Sequence, residues 1–120
     1  MELPSSVVGH HTAWVHCAAC RPHPVRYAVD RDRLVWFADE LPDDAYDAAA
    51  AGRRVFVTVH EIAGGPALAE LTGSLRDIRA DEVDPNAVMD LLEHVSLGRT
   101  AAEVDASIAR HRSRRLLTVE

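Results

Sequence analysis

The chain has 120 residues, of which 48% are hydrophobic and 27% charged, with a formal net charge of -6; this is the size and composition of one domain that can bury a core, read over 1–120. A net negative chain lacks the cations that displace counterions from phosphates, which excludes general affinity for nucleic acid, and no run of about eighteen apolar residues is present to form a membrane span. The start, Met1 to Ser6, has neither the basic residues nor the apolar run of a signal peptide, so a cytoplasmic protein is expected.

In chain order, Thr12 to Ala18 alternates Trp14 and His16 with Val15 and Cys17, the pattern of a half-buried strand. His23 to Asp30 repeats it, with Val25, Tyr27 and Val29 on one face and Arg26 and Ala28 on the other. Arg31-Asp32-Arg33 is a short polar turn, and Leu34 to Ala38 is an apolar strand close enough to form a hairpin with the one before. Pro42 to Ala51 opens with Pro and two Asp and is followed by Gly52, which predicts a short helix. Arg54 to His60 is rich in β-branched residues and reads as a strand.

Gly64-Gly65-Pro66 supplies a turn, and Ala67 to Arg79 reads as a long strand with a bend or bulge at Gly73. Asp84 caps a helix that has Pro85 at its first position and Val88, Leu91, Leu92 and Val95 as an apolar stripe. Gly98 ends it, Thr100 to Glu103 has capping-box spacing for a second helix to about His111, and Arg115 to Val119 is a closing strand. The basic residues Arg110, Arg112, Arg114 and Arg115 read as a solvated helix end rather than a nucleic-acid patch. Strands in runs, with helices inserted, favour an α+β domain over a doubly wound sheet.

Cys17 and Cys20 form one Cys-x2-Cys pair between His16 and His23. A structural zinc site needs four ligands, and one pair does not supply them, so no metal is expected. In a chain read as cytoplasmic the two are expected to be reduced thiols.

Four segments carry a family resemblance: Arg21-Pro22-His23-Pro24-Val25-Arg26-Tyr27, Leu34-Val35-Trp36-Phe37, Gly52-Arg53-Arg54-Val55 and Leu71-Thr72-Gly73-Ser74. Together they resemble the core of the pyridoxamine 5'-phosphate oxidase-like family. The resemblance implies a six-stranded antiparallel split β-barrel with short peripheral helices. It also implies a homodimer holding FMN or a deazaflavin in a cleft between subunits, and oxidoreductase chemistry carried by the cofactor. Carried over by position, the cofactor site comprises Arg26, Tyr27, Trp36, Phe37, Ala38 and Asp39, with Arg26 meeting the phosphate. The chain departs from the family where Ala38 stands for a hydroxyl and Ala45 for a lysine, among Asp39, Glu40, Asp43 and Asp44. These departures motivate a second expectation, a cofactor-less split barrel that binds or scaffolds another small ligand, such as the planar haem. No order of side chains suggests a hydrolase.

Overall fold

The computed structural model describes residues 7, 11–17, 21–51, 54–60, 66–95, 100, 102 and 115–120. The elements are β1 (Thr12–Cys17), β2 (His23–Arg26), β3 (Ala28–Asp30), β4 (Arg33–Phe37), α1 (Asp43–Ala50), β5 (Arg54–His60), β6 (Ala67–Ile78), α2 (Pro85–Val95) and β7 (Leu116–Val119). They form an α+β domain built mostly of antiparallel sheet. The second helix expected after Gly98 lies outside the described residues, apart from Thr100 and Ala102.

The strands form one seven-stranded sheet in the order β2-β1-β5-β6-β7-β4-β3, every ladder antiparallel. Seven strands stand where six were expected, because His23 to Asp30 is interrupted. Tyr27 turns its carbonyl to the Nδ1 of His94, 2.9 Å away, so the ladder breaks there and the two pieces fall at opposite ends of the strand order. Among the described residues no ladder joins β2 to β3, and the sheet is not closed by hydrogen bonds.

Two cores share β4. Leu34 and Trp36 join Val15, Val25, Tyr27, Val55, Val57, Val59 and Leu117 on one side. Val35 and Phe37 point the other way and pack with Ile78, Leu116 and the α2 residues Val88, Leu91, Leu92 and Val95. A strand covered on both faces loses the polar half of its alternation, which is why Leu34 to Phe37 is apolar throughout. β5, covered on one face, keeps the alternation: Val55, Val57 and Val59 are buried while Arg54 and Phe56 are exposed.

α2 begins as its sequence predicts. Asp84 accepts a hydrogen bond from the Asn86 amide at 2.8 Å, and Pro85 takes the first helical position, where no N–H is needed. The helix is tied to the β3–β4 hairpin by Asp30, which is 1% exposed. Its carboxylate accepts from the Asp84 amide at 3.1 Å and from Arg33 Nε at 3.0 Å. Between Asp30 and Arg33 the chain reverses through two residues, and Arg31 takes φ 58. Glycine is usual at the first central position of such a turn, and a residue with a Cβ costs roughly 1–2 kcal/mol there.

β6 pairs with β5 through Ser74 and with β7 from Leu75 onward, so it crosses from one half of the sheet to the other at Gly73. A Cβ on Gly73 would lie 2.1 Å from the Glu120 carbonyl oxygen, which accepts from the Ser74 amide at 2.7 Å. The obstacle is backbone. Gly73→Ala is therefore expected to push β7 off β6 and cost roughly 2–3 kcal/mol, the upper part of the overpacking range. Ser74→Ala at the exposed neighbour is expected to stay within about 0.5 kcal/mol of the parent. Thermal unfolding of the two variants checks the contrast.

Candidate ligand site

Arg26 ends β2, and the chain brings it to the turn at Ala38–Glu40. Its guanidinium is already engaged. Nη2 donates to Glu40 Oε1 at 2.6 Å, Nε to Oε2 at 3.3 Å, and Nη1 to the Val95 carbonyl at 2.9 Å. The Arg26 amide also donates to Glu40 Oε2 at 3.3 Å. Val95 is the last residue of α2, so the cation satisfies an orphan carbonyl at the negative pole of that helix. The Arg26 side chain is 35% exposed and that of Glu40 is 11% exposed. An anion arriving from solvent can reach the arginine, but it meets a carboxylate already in place, and like charges at this range oppose each other.

The other expected site residues divide. Ala38 donates its amide to the Arg115 carbonyl at 2.8 Å, and Asp39 is exposed beside it, both in the turn that carries Glu40. Tyr27 is buried, and its hydroxyl donates to the Val7 carbonyl at 2.6 Å. Burial pushes its pKa up to about 12, so it is a neutral donor at ordinary pH. Its ring meets that of His94 edge-on, with centroids 6.1 Å apart. Trp36 and Phe37 are both 0% exposed, one in each core. The structure thus gathers Arg26, Ala38 and Asp39 around Glu40 and places Trp36 and Phe37 in the interior. Ala45 is also buried, so the lysine it replaces in the resemblance would have to be accommodated beneath α1.

Among the described residues, two buried side-chain polar atoms have no hydrogen-bond partner, His16 Nδ1 and Trp36 Nε1. Most buried polar atoms are paired, so these two are exceptions. Cys17 is disulfide-bonded, which corrects the expectation of a free thiol there. That expectation came from the cellular compartment, which carries no information on local geometry. The other cysteine of the sequence, Cys20, lies outside the described residues. Among the described residues no three His, Cys, Asp or Glu side chains cluster so as to hold a metal ion, and no helix is long and apolar enough to cross a membrane.

A separate cleft of 420 Å³ opens where β6 leaves β7. It is lined by Arg31, Asp32, Arg33 and Leu34 of the β3–β4 hairpin, Leu71 and Thr72 of β6, and Val119 and Glu120 at the end of β7. None of these was singled out as a site residue from sequence. The one available signal was an arginine in a two-residue turn that would ordinarily carry glycine. Comparison with known protein families, curated proteins and solved structures finds no match for the chain.

Proposed function

We propose that the chain is a six-stranded split barrel of the pyridoxamine 5'-phosphate oxidase-like type that binds FMN or a deazaflavin as a homodimer and acts as an oxidoreductase. The observation that carries this reading is the continuity of β2 and β3 through Tyr27. Counted as one bent strand, they make six strands in all, and the two ends of the strand order become a single segment. A sheet whose first and last strands are the same piece of chain supports the reading of a barrel with an opening in it. A second copy finds support on the outer face of β2, β1 and β5. There Pro24 lies opposite Trp14, Trp14 opposite Thr58 and His16 opposite Phe56, and the patch is flanked on the same face by Arg26, Arg54 and Glu70. Phe56 is 36% exposed and stacks on His16 at 5.3 Å. Aromatic patches with a polar, charged rim are common in subunit interfaces. In this reading Arg26 holds the phosphate, and the cofactor supplies the hydride or electron chemistry.

One observation favours the second reading, a cofactor-less split barrel that serves as a binding or scaffold protein. The Arg26 guanidinium is held on three sides by Glu40 and the Val95 carbonyl. The absorbance spectrum of the purified protein and its quenching of added FMN or deazaflavin fluorescence separate the two. Glu40→Gln removes the competing charge beside Arg26. If the phosphate lodges there, FMN binding is expected to tighten about tenfold, worth about 1.4 kcal/mol, while riboflavin, which has no phosphate, is unaffected. A colourless protein that quenches neither fluorophore, with or without the substitution, would sink the flavin reading.

A further inference from the structure

The outer face of β1, β5 and β6 carries opposite charges on either side of an exposed aromatic ring. Arg54, Phe56 and Thr58 point outward in turn along β5, and Ser74, Thr72 and Glu70 lie opposite them on β6. On β1, His16 extends the row of Phe56 and Trp14 the row of Thr58. Successive rows are about 7 Å apart, the rise of two strand residues. The row of His16, Phe56 and Thr72 therefore lies midway between a cation and an anion.

Arg54, Phe56, Glu70 and Thr72 are all exposed. Neither Arg54 nor Glu70 has a hydrogen bond or ion pair among the described residues, and about 13 Å of strand holds the two apart within one chain. In a two-fold interface residue i meets residue j while j meets i. A patch satisfies itself in this way only where a cation and an anion stand at equal distances on opposite sides of the axis. Arg54 and Glu70 do so about the row of Phe56. Their sideways offset is one strand, about 4.8 Å, which an arginine side chain spans.

We propose that a second copy of the chain docks on this face across a two-fold axis running along the row of His16, Phe56 and Thr72, with Arg54 of each copy paired to Glu70 of the other. This rests on the homodimer of the proposed function and specifies its interface, and it makes no use of the flavin. β5 then lies antiparallel over its own copy at about 10 Å, the usual separation of stacked sheets. The two Phe56 rings meet at the axis. The two Arg54–Glu70 pairs stand at the rim, where charges set partner and register more than they add affinity. An axis along the strands would instead bring each Arg54 into the row of the other Arg54, and each Glu70 into the row of the other Glu70. Like-charge repulsion disfavours that arrangement.

Sedimentation velocity of the whole chain is expected to show a dimer. Arg54→Glu and Glu70→Arg, both at exposed positions, are each expected to keep the parent's thermal midpoint. Each is expected to weaken dimerisation roughly tenfold or more, because it sets like charges together twice. An equimolar mixture of the two variants is expected to dimerise as the parent does, since one pair is then reversed and the other native. A pairing within one chain cannot give that rescue. Isotope-filtered NOEs between labelled and unlabelled parent chains, which need no variant, are expected to join Arg54 to Glu70 and Phe56 to its own copy. A monomeric parent overturns the inference and the homodimer with it. A parent dimer whose variants withstand both reversals, whose variant mixture stays monomeric, or which lacks those NOEs overturns the interface alone. Quenching of FMN fluorescence in the same samples reports on the flavin reading separately.

Discussion

Trp36→Ala is expected to lower the unfolding free energy by roughly 3–5 kcal/mol, the usual cost of removing a fully buried large aromatic side chain. Trp36 is 0% exposed and packs in the core that β4 shares with β1, β2 and β5. Domains of this size are stable by only about 5–15 kcal/mol, so this one truncation consumes a large part of the total. Trp36→Phe is the informative companion. It keeps an aromatic body in place and deletes the indole N–H, which has no partner. The loss of volume and the removal of an unsatisfied donor act in opposite directions, so its cost is expected to stay below about 1.5 kcal/mol. Denaturant unfolding followed by circular dichroism measures both. A stable Trp36→Ala that had lost only ligand binding would instead place the ring at a site.

The second large effect is expected at Asp30. Asp30→Ala leaves Arg33 without its carboxylate and the Asp84 amide without its acceptor, both at the joint between the β3–β4 hairpin and α2. Breaking a buried charge pair from one side costs about 3–5 kcal/mol. Arg33 is 21% exposed and keeps the Glu82 carbonyl, so a value near the lower bound, about 3 kcal/mol, is expected. Asp30→Asn retains an acceptor for the Asp84 amide and is expected to cost less. Hydrogen exchange adds a local readout. In Asp30→Ala the amides of Asp84 and Asn86 should lose protection ahead of those in β5, because the substitution detaches the start of α2 and leaves that strand's ladders intact.

How much of this was legible in the sequence depends on whether the deciding contact was local. The β-branched strand from Arg54 to His60 and the Asp84-Pro85 start of α2 are set within a few residues, and the structure has both. The break at Tyr27 was not, because its carbonyl is drawn off by His94, 67 residues away. The pairing of Arg26 with Glu40 spans 14 residues and depends on the turn after β4 folding back on β2, so the candidate phosphate arginine gave no sign of being occupied. Trp36 and Phe37 are expected at the cofactor because an apolar run does not reveal that both of its faces are covered, Trp36 by β1, β2 and β5 and Phe37 by α2. The cleft at Arg31 is lined by the β3–β4 hairpin, β6 and β7, which are far apart in sequence, and a strand's partner register is not written in its own residues.

That last strand has a consequence for how the chain is made. Of the described strands β7 is the last in sequence, yet it lies between β6 and β4 in the sheet. Thr118, fully buried, donates its hydroxyl to the Leu34 carbonyl across 84 residues of chain. A nascent chain can assemble β2, β1, β5 and β6 as one piece and the β3–β4 hairpin as another, but the ladders that join them are absent until residues 116–119 are synthesised. Contacts this distant in sequence form slowly, and two unjoined sheet edges stay open while they wait. The two halves stay unjoined until residues 116–119 arrive, and that strand acts as the latch between them.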